Sequence, residues 1–75
     1  QLYEFKYRLA ELLLTITVDD IYQEKHTEMA EYLGVSYRHL LYTFQHFREQ
    51  GLIDKGKQIK INRTKLSHFL EKRMQ

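Results

Sequence analysis

Residues 27–53 read TEMAEYLGVSYRHLLYTFQHFREQGLI, and their pattern predicts two amphipathic helices separated by a tight turn. Gly34 stands between the two periodic runs and suits the left-handed conformation that ends a helix. Thr27 and Ser36 are the predicted N-caps, because a hydroxyl oxygen can accept a hydrogen bond from a free N–H of the first helical turn. The stretch therefore predicts helix, turn and helix within 27–50.

The second of these helices is predicted to have one buried and one exposed face. Leu40, Phe44 and Phe47 fall at i, i+4 and i+7, which places them on one apolar stripe. The residues off that stripe are polar, aromatic or basic: Tyr37, Arg38, His39, Tyr42, Gln45, His46 and Arg48. This is the helix-turn-helix pattern, in which the second helix presents such a face to the major groove of DNA. A helical hairpin with a solvated polar face is the competing interpretation.

After Gly51 the helical spacing gives way to strand-like spacing. Residues 52–61 read LIDKGKQIKI, which is an apolar pair, a turn and an alternating polar and apolar run. The pattern predicts a β-hairpin over these residues, with Gly56 in the turn free to take a positive φ. Lys55 and Lys57 make the turn basic, so the hairpin is predicted to be a wing that contacts phosphates beside the groove.

An N-terminal helix is predicted over residues 1–18. Its apolar stripe consists of Leu2, Phe5, Leu9, Leu12, Leu13 and Ile16. Tyr3 and Tyr7 lie partly off this stripe. They either shield the core of the domain or meet a partner that is absent from this chain, such as a preceding domain or a second subunit.

The remaining segments complete one domain of 75 residues. Residues 18–26 read VDDIYQEKH and are predicted to form a linker. A terminal helix is predicted over 63–74, with Asn62 or Thr64 as its N-cap. The expected architecture is mainly α with a small β-hairpin, a winged helix-turn-helix.

The charge of the chain is unevenly distributed. Residues 1–50 carry a net charge of −3, whereas residues 51–75 carry +5. Such asymmetry indicates a polyanionic partner, although a solvated basic tail would give the same numbers. The chain has no cysteine and no run of about 18 apolar residues, so we expect no disulfide, no thiolate metal site and no membrane partner. We expect a cytoplasmic location.

Catalysis and metal binding are not expected of this sequence. The four histidines, His26, His39, His46 and His68, include no pair spaced four residues apart. There is no glycine-rich phosphate loop and no recognisable nucleophile motif. Glu28 and Glu31 are better explained as a solvated helix face than as an acid and base pair. The predictions are therefore no enzyme, no metal and no cofactor in this chain.

Four stretches together resemble a known family of bacterial proteins. They are RLAELLL at 8–14, TEMAEYLGVS at 27–36, EQGLI at 49–53 and GKQIKI at 56–61. In this order and spacing they resemble the C-terminal winged helix-turn-helix DNA-binding domain of Crp/Fnr-type transcription regulators. The resemblance implies sequence-specific binding to double-stranded DNA, and a homodimer formed through an N-terminal region absent from this chain. It also implies a cyclic-nucleotide-binding-like barrel and a long dimerisation helix in that region, and DNA binding that recruits or excludes RNA polymerase.

The sequence departs from that family where the family reads bases. Tyr37, Arg38 and Tyr42 stand where members typically have arginine, an acidic residue and arginine, so the bound sequence is expected to differ from typical sites. Arg38 could still donate two hydrogen bonds to guanine. The predicted DNA contacts are Thr27, Ser36, Tyr37, Arg38, His39, Tyr42, Gln45, Lys55 and Lys57. A winged-helix module that binds proteins through its tyrosines is the alternative.

Overall fold

The computed structural model describes residues 2–74 and the side chains of residues 4–73, so the side chains of Leu2 and Tyr3 lie outside it. Its elements in chain order are α1 (Leu2–Ile16), β1 (Ile21–Tyr22), α2 (His26–Leu33), α3 (Tyr37–Glu49), β2 (Ile59–Lys60), α4 (Arg63–Glu71) and a short 3₁₀ helix (Lys72–Met74). This mainly helical architecture with one small antiparallel sheet confirms the predicted fold class. No helix in the described part of the chain is both long and apolar enough to cross a membrane.

The core forms where the apolar stripes of α1 and α3 are buried. Leu40, Phe44 and Phe47 are all 0 % exposed, as their spacing predicts. Phe5, Leu9 and Leu13 of α1, together with Leu66 of α4, are buried to the same degree or nearly so. Each such side chain contributes about 1.5–3 kcal/mol through removal of apolar surface from water. The inward direction of the α3 stripe fixes which residues of that helix face solvent.

Tyr7 belongs to the core of the domain. It is buried, and its ring stacks on Phe69 of α4 with the ring centroids 5.0 Å apart. Phe69 in turn meets the edge of Phe47 at 5.6 Å. Of the two roles open to Tyr7 in the sequence, the structure therefore selects the shielding of its own core.

The turn between α2 and α3 has the predicted geometry. Gly34 lies at φ 74°, in the left-handed region, and its N–H donates to the carbonyls of Ala30 and Glu31. Ser36 caps α3, because its Oγ accepts a hydrogen bond of 3.0 Å from the backbone N–H of His39. Both predictions are confirmed.

The predicted N-cap at Thr27 is wrong. Helix α2 begins one residue earlier, at His26, and its N-cap is Lys25, whose side chain makes no capping hydrogen bond. The physical reason is packing, since the His26 ring stacks on the ring of Phe44 at 5.0 Å and is thereby held in the first turn. Thr27 is left exposed inside that turn.

The segment 18–26, predicted to be a linker, contains a strand. Residues Ile21–Tyr22 form β1, which pairs antiparallel with β2 so that Ile21 faces Lys60. Asp19 and Asp20 precede the strand at φ 54° and 64°, a conformation that aspartate adopts more readily than most residues. They turn the chain so that the buried Tyr22 reaches the core.

The predicted wing hairpin is present with a single bridge. Ile53 and Ile61 form an isolated antiparallel bridge, and the N–H of Asp54 donates to the carbonyl of Lys60 at 2.8 Å. Gly56 does not adopt the positive φ that is open to it, whereas Gly51, after the end of α3, has φ 74°. The loop at 54–58 is irregular and exposed, so a tight turn with a left-handed glycine is not needed there.

Arg63 joins the start of α4 to the end of α1. Its guanidinium forms an ion pair of 2.9 Å with Asp20 and donates hydrogen bonds to the Leu14 carbonyl at 3.0 Å and to the Thr17 hydroxyl at 3.3 Å. Because one planar group satisfies three acceptors, it orients α4 as well as the loop before β1.

The structure identifies Asn62 as the cap of α4, since its Oδ1 accepts a 3.0 Å hydrogen bond from the N–H of Lys65. We predict that Asn62→Ala lowers the free energy of unfolding by about 1 kcal/mol. Thr64→Ala, at an exposed position in the same turn, is the matched control and should cost less than about 0.5 kcal/mol. Urea denaturation followed by circular dichroism measures both, and equal losses would contradict this assignment.

Candidate nucleic-acid interface

One face of α3 lies opposite the buried stripe and is open to solvent. Arg38, Tyr42 and Gln45 share it, because they are spaced four and three residues apart on a helix. Tyr42 is 70 % exposed although it is a large aromatic residue. A helix with one face packed in the core and an opposite face of exposed polar and aromatic side chains is suited to insertion into a major groove.

A second row on the same side of α3 includes a residue that the sequence analysis missed. Tyr37, Leu41 and Gln45 follow one another at four-residue intervals, and Leu41 is 38 % exposed. Its exposure could have been predicted from the sequence, because Leu41 lies four residues after the exposed Tyr37 and so shares its side of the helix, unlike the neighbouring Leu40. An exposed apolar side chain at this place can contact the methyl group of a thymine.

The exposed face ends at Glu49. The Gln45 side-chain amide donates a long hydrogen bond of 3.5 Å to the Glu49 carboxylate. A carboxylate is repelled by DNA phosphates, whereas the residues before it are neutral or basic. The portion of α3 that can approach a nucleic acid closely is therefore its N-terminal part, from the Ser36 cap to Gln45.

His39 occupies a different position from the other candidates on α3. Its half-buried ring packs edge-on against Phe5 of α1, with the centroids 4.7 Å apart. It lies on the side of the helix that faces α1, four residues before the buried Thr43, whose hydroxyl donates to the His39 carbonyl. A DNA contact by His39 stays a prediction, but the structure gives this residue a packing role.

The predicted contacts outside the body of α3 are all exposed. Ser36 uses its oxygen to cap α3, which leaves its O–H free to donate to a phosphate. Thr27 lies in the first turn of α2 beside Glu28, whose charge already offsets the partial positive charge of that helix end. Lys55 and Lys57 project from the loop at 54–58, which is anchored on either side by the buried Ile53 and Ile59.

A cluster of rings around His26 connects the start of α2 to α3. The His26 ring stacks on Phe44, and its Nδ1 lies 3.3 Å from the Tyr22 hydroxyl. Burial, together with the positive charge of Arg48, lowers the pKa of His26 below its ordinary value of 6.5. Burial also raises the pKa of Tyr22 to about 12, with Glu24 as a second cause. The Tyr22 hydroxyl thus stays protonated, and it can donate a hydrogen bond to Nδ1 of the neutral imidazole.

Comparison with known proteins agrees with this geometry. The family model of the Crp-like helix-turn-helix domain matches residues 7–69. The chain belongs to this family. Its members are DNA-binding domains of transcription regulators and are not enzymes, so the Crp-like domain described here is a DNA-binding domain of that kind. The resemblance to Crp/Fnr-type regulators that the sequence shows is confirmed.

A similar protein is the "Regulatory protein YeiL" of Escherichia coli O157:H7. The two are 56 % identical over 50 residues, which represent 67 % of this chain but only 23 % of the relative. The matched stretch therefore spans less than a quarter of that regulator's length. No solved structure matches the chain.

We predict that the stability of the Crp-like domain falls as the pH drops below about 6.5, because the unfolded chain protonates His26 more readily than the folded one does. Above that value His26 is neutral in both states and this loss is absent. His26→Phe, which keeps a ring on Phe44, should show a smaller loss of unfolding free energy between about pH 7.5 and pH 5.

The control for this experiment is His68→Gln, which removes an exposed histidine of α4. Urea denaturation of all three proteins at both pH values gives the comparison. If His26→Phe and the unchanged chain lose the same free energy, His26 does not cause the acid sensitivity.

Proposed function

We propose that the exposed face of α3 reads base edges in the major groove, with Ser36 to Gln45 inside it. The observation that carries this proposal is the complete burial of Leu40, Phe44 and Phe47, which turns the opposite side of the helix outward. Arg38 is the best candidate for direct readout, because a guanidinium can donate two hydrogen bonds to O6 and N7 of guanine. Tyr37, Leu41 and Tyr42 would contact sugars and thymine methyl groups.

Phosphate contacts would flank this helix on two sides. Thr27 and the first-turn N–H groups of α2 would hold one phosphate, as helix N-termini do. Lys55 and Lys57 of the wing loop would contact the neighbouring backbone. The exposure of all three side chains supports these roles. Such contacts position the domain on the duplex and carry no sequence information themselves.

In the complete protein we propose that two copies bind a palindromic site. Half-sites would lie about one helical turn apart, as they do for dimeric helix-turn-helix proteins. Binding would recruit or exclude RNA polymerase in the cytoplasm, and this domain would need no cofactor for it. The similarity to a regulatory protein more than four times the length of the match supports this larger arrangement.

A protein-binding winged helix is the alternative, and the exposed Tyr37 and Tyr42 are the observation in its favour. Gel-shift titration against mixed duplex DNA at low and at moderate salt separates the two functions. Binding that weakens as salt rises supports the DNA function. Absence of binding at low salt would favour a protein partner.

We predict that Arg38→Ala weakens binding to the preferred site by roughly 1–3 kcal/mol and relaxes the preference at one base position. Selection from a pool of random duplexes supplies the preferred site. Dissociation constants on that site and on its single-base variants then give the measurement. An equal loss on every sequence would show that Arg38 contacts a phosphate.

The matched control for Arg38→Ala is Arg73→Ala, which removes an exposed arginine beyond the end of α4. It lowers the net charge by the same amount but leaves α3 unchanged. A similar loss of specificity in both variants would mean that overall charge, and not the position of Arg38, causes the effect.

We predict that Lys57→Ala weakens binding about equally on all sequences and reduces the slope of log K against log salt by about 1. The reason is that one fewer phosphate is neutralised by the wing. Titrations at several salt concentrations give the slope, and Lys72→Ala after α4 is the control. An unchanged slope would remove Lys57 from the set of phosphate contacts.

A further inference from the structure

A groove of about 330 Å³ runs between α1 and α2. It is lined by Leu12, Ile16, Glu24, Glu28, Met29 and Tyr32, and is here named the α1–α2 groove. The buried and half-buried residues of its lining are apolar and are here called its floor, and the exposed Glu24 and Glu28 are called its rim. None of the six lining side chains is proposed to contact DNA, so the function above does not explain the groove.

Exposed apolar side chains mark this groove as an interaction surface. Apart from the exposed residues of α3, the large apolar side chains that are most open to solvent are Tyr32 at 75 % and Val18 at 72 %. Tyr32 lines the groove itself. Val18 lines an adjoining hollow that shares Ile16 and Glu24 with the groove. Leu12 and Ile16 are only half-buried, so this apolar surface continues into solvent.

The charge of the rim decides what kind of partner fits. Within the described residues neither Glu24 nor Glu28 is part of an ion pair, and no basic side chain lines the groove. Two carboxylates beside an apolar floor attract cationic groups. The surface is thus complementary to a segment that is apolar on one side and basic at its edges.

We propose that the α1–α2 groove binds a basic amphipathic helix of a partner protein. Apolar residues of that helix, spaced at i, i+3, i+4 and i+7, would pack on Leu12, Ile16 and Tyr32. Its lysine or arginine side chains would pair with Glu24 and Glu28 at the rim. This mode uses the apolar area for affinity and the two carboxylates for orientation and specificity. It leaves the exposed face of α3 free to hold DNA at the same time.

The test uses the 75-residue chain and a synthetic helical peptide. The probe is an amphipathic peptide of leucine and lysine, and its counterpart carries glutamate in place of every lysine. Nuclear magnetic resonance titration follows the methyl groups of Leu12, Ile16 and Met29. The lysine peptide should bind and shift these signals, whereas the glutamate peptide should bind at least about tenfold more weakly.

Two variants locate the binding. Glu28→Lys should weaken the lysine peptide by roughly three- to tenfold, because one attraction becomes a repulsion. Glu31→Lys is the matched control, since it makes the same charge change on the same helix outside the groove. Tyr32→Ala should also weaken the peptide, by about tenfold, while leaving DNA affinity unchanged.

Several outcomes would overturn the proposal. Equal losses of peptide affinity in Glu28→Lys and Glu31→Lys would show that the peptide responds to the net charge of the domain and not to the groove. Peptide-induced shifts confined to α3 would place the peptide on the DNA-binding face. Self-association of the chain that Tyr32→Ala abolishes would show that a second copy, and not a basic helix, covers the groove. Circular dichroism of each variant verifies that it is folded, and the charge variants decide the matter even if Tyr32→Ala unfolds.

Discussion

The burial of the α3 stripe in the common core, where Phe44 meets Tyr22 and Phe47 meets Phe69, is the interaction on which the rest of the domain depends. Leu40, Phe44 and Phe47 have no exposed surface, and truncating any one of them to alanine would be expected to cost about 2–5 kcal/mol. A domain of this size has a small core, so the loss of one such side chain removes a large share of its free energy of unfolding. The same contact sets the rotation of α3 about its axis. The rotation that fills the core therefore also determines which side chains of α3 face solvent, and with them the proposed DNA contacts.

The surface divides into regions of different chemistry. The N-terminal part of α3 and the loop at 54–58 present basic, polar and aromatic groups, whereas the α1–α2 groove presents apolar groups between carboxylates. The net charge of +2 conceals this division, since opposite charges are placed on different surfaces. The proposed DNA contacts and the proposed partner groove therefore use different side chains with different chemistry.

Features set by neighbouring residues could be predicted from the sequence, and features set by distant contacts could not. The α3 stripe, the turn at Gly34 and the Ser36 cap follow from local spacing and side-chain chemistry. Strand β1 has only two residues, and its partner lies nearly 40 positions later, so no periodicity shows it. The place of His26 in α2 and the packing of His39 on Phe5 likewise depend on aromatic contacts with residues distant in the sequence. Which residues contact DNA remains a prediction.

The hydrogen bonds around Asp20 couple the wing mechanically to the end of α1. Asp20 accepts a 2.8 Å hydrogen bond from the N–H of Ile61 through its carbonyl, and its carboxylate accepts another from Arg63. Ile61 is also bridged to Ile53, where the wing loop begins. A displacement of the loop is therefore opposed by these hydrogen bonds and by the contacts of Arg63 with Leu14 and Thr17.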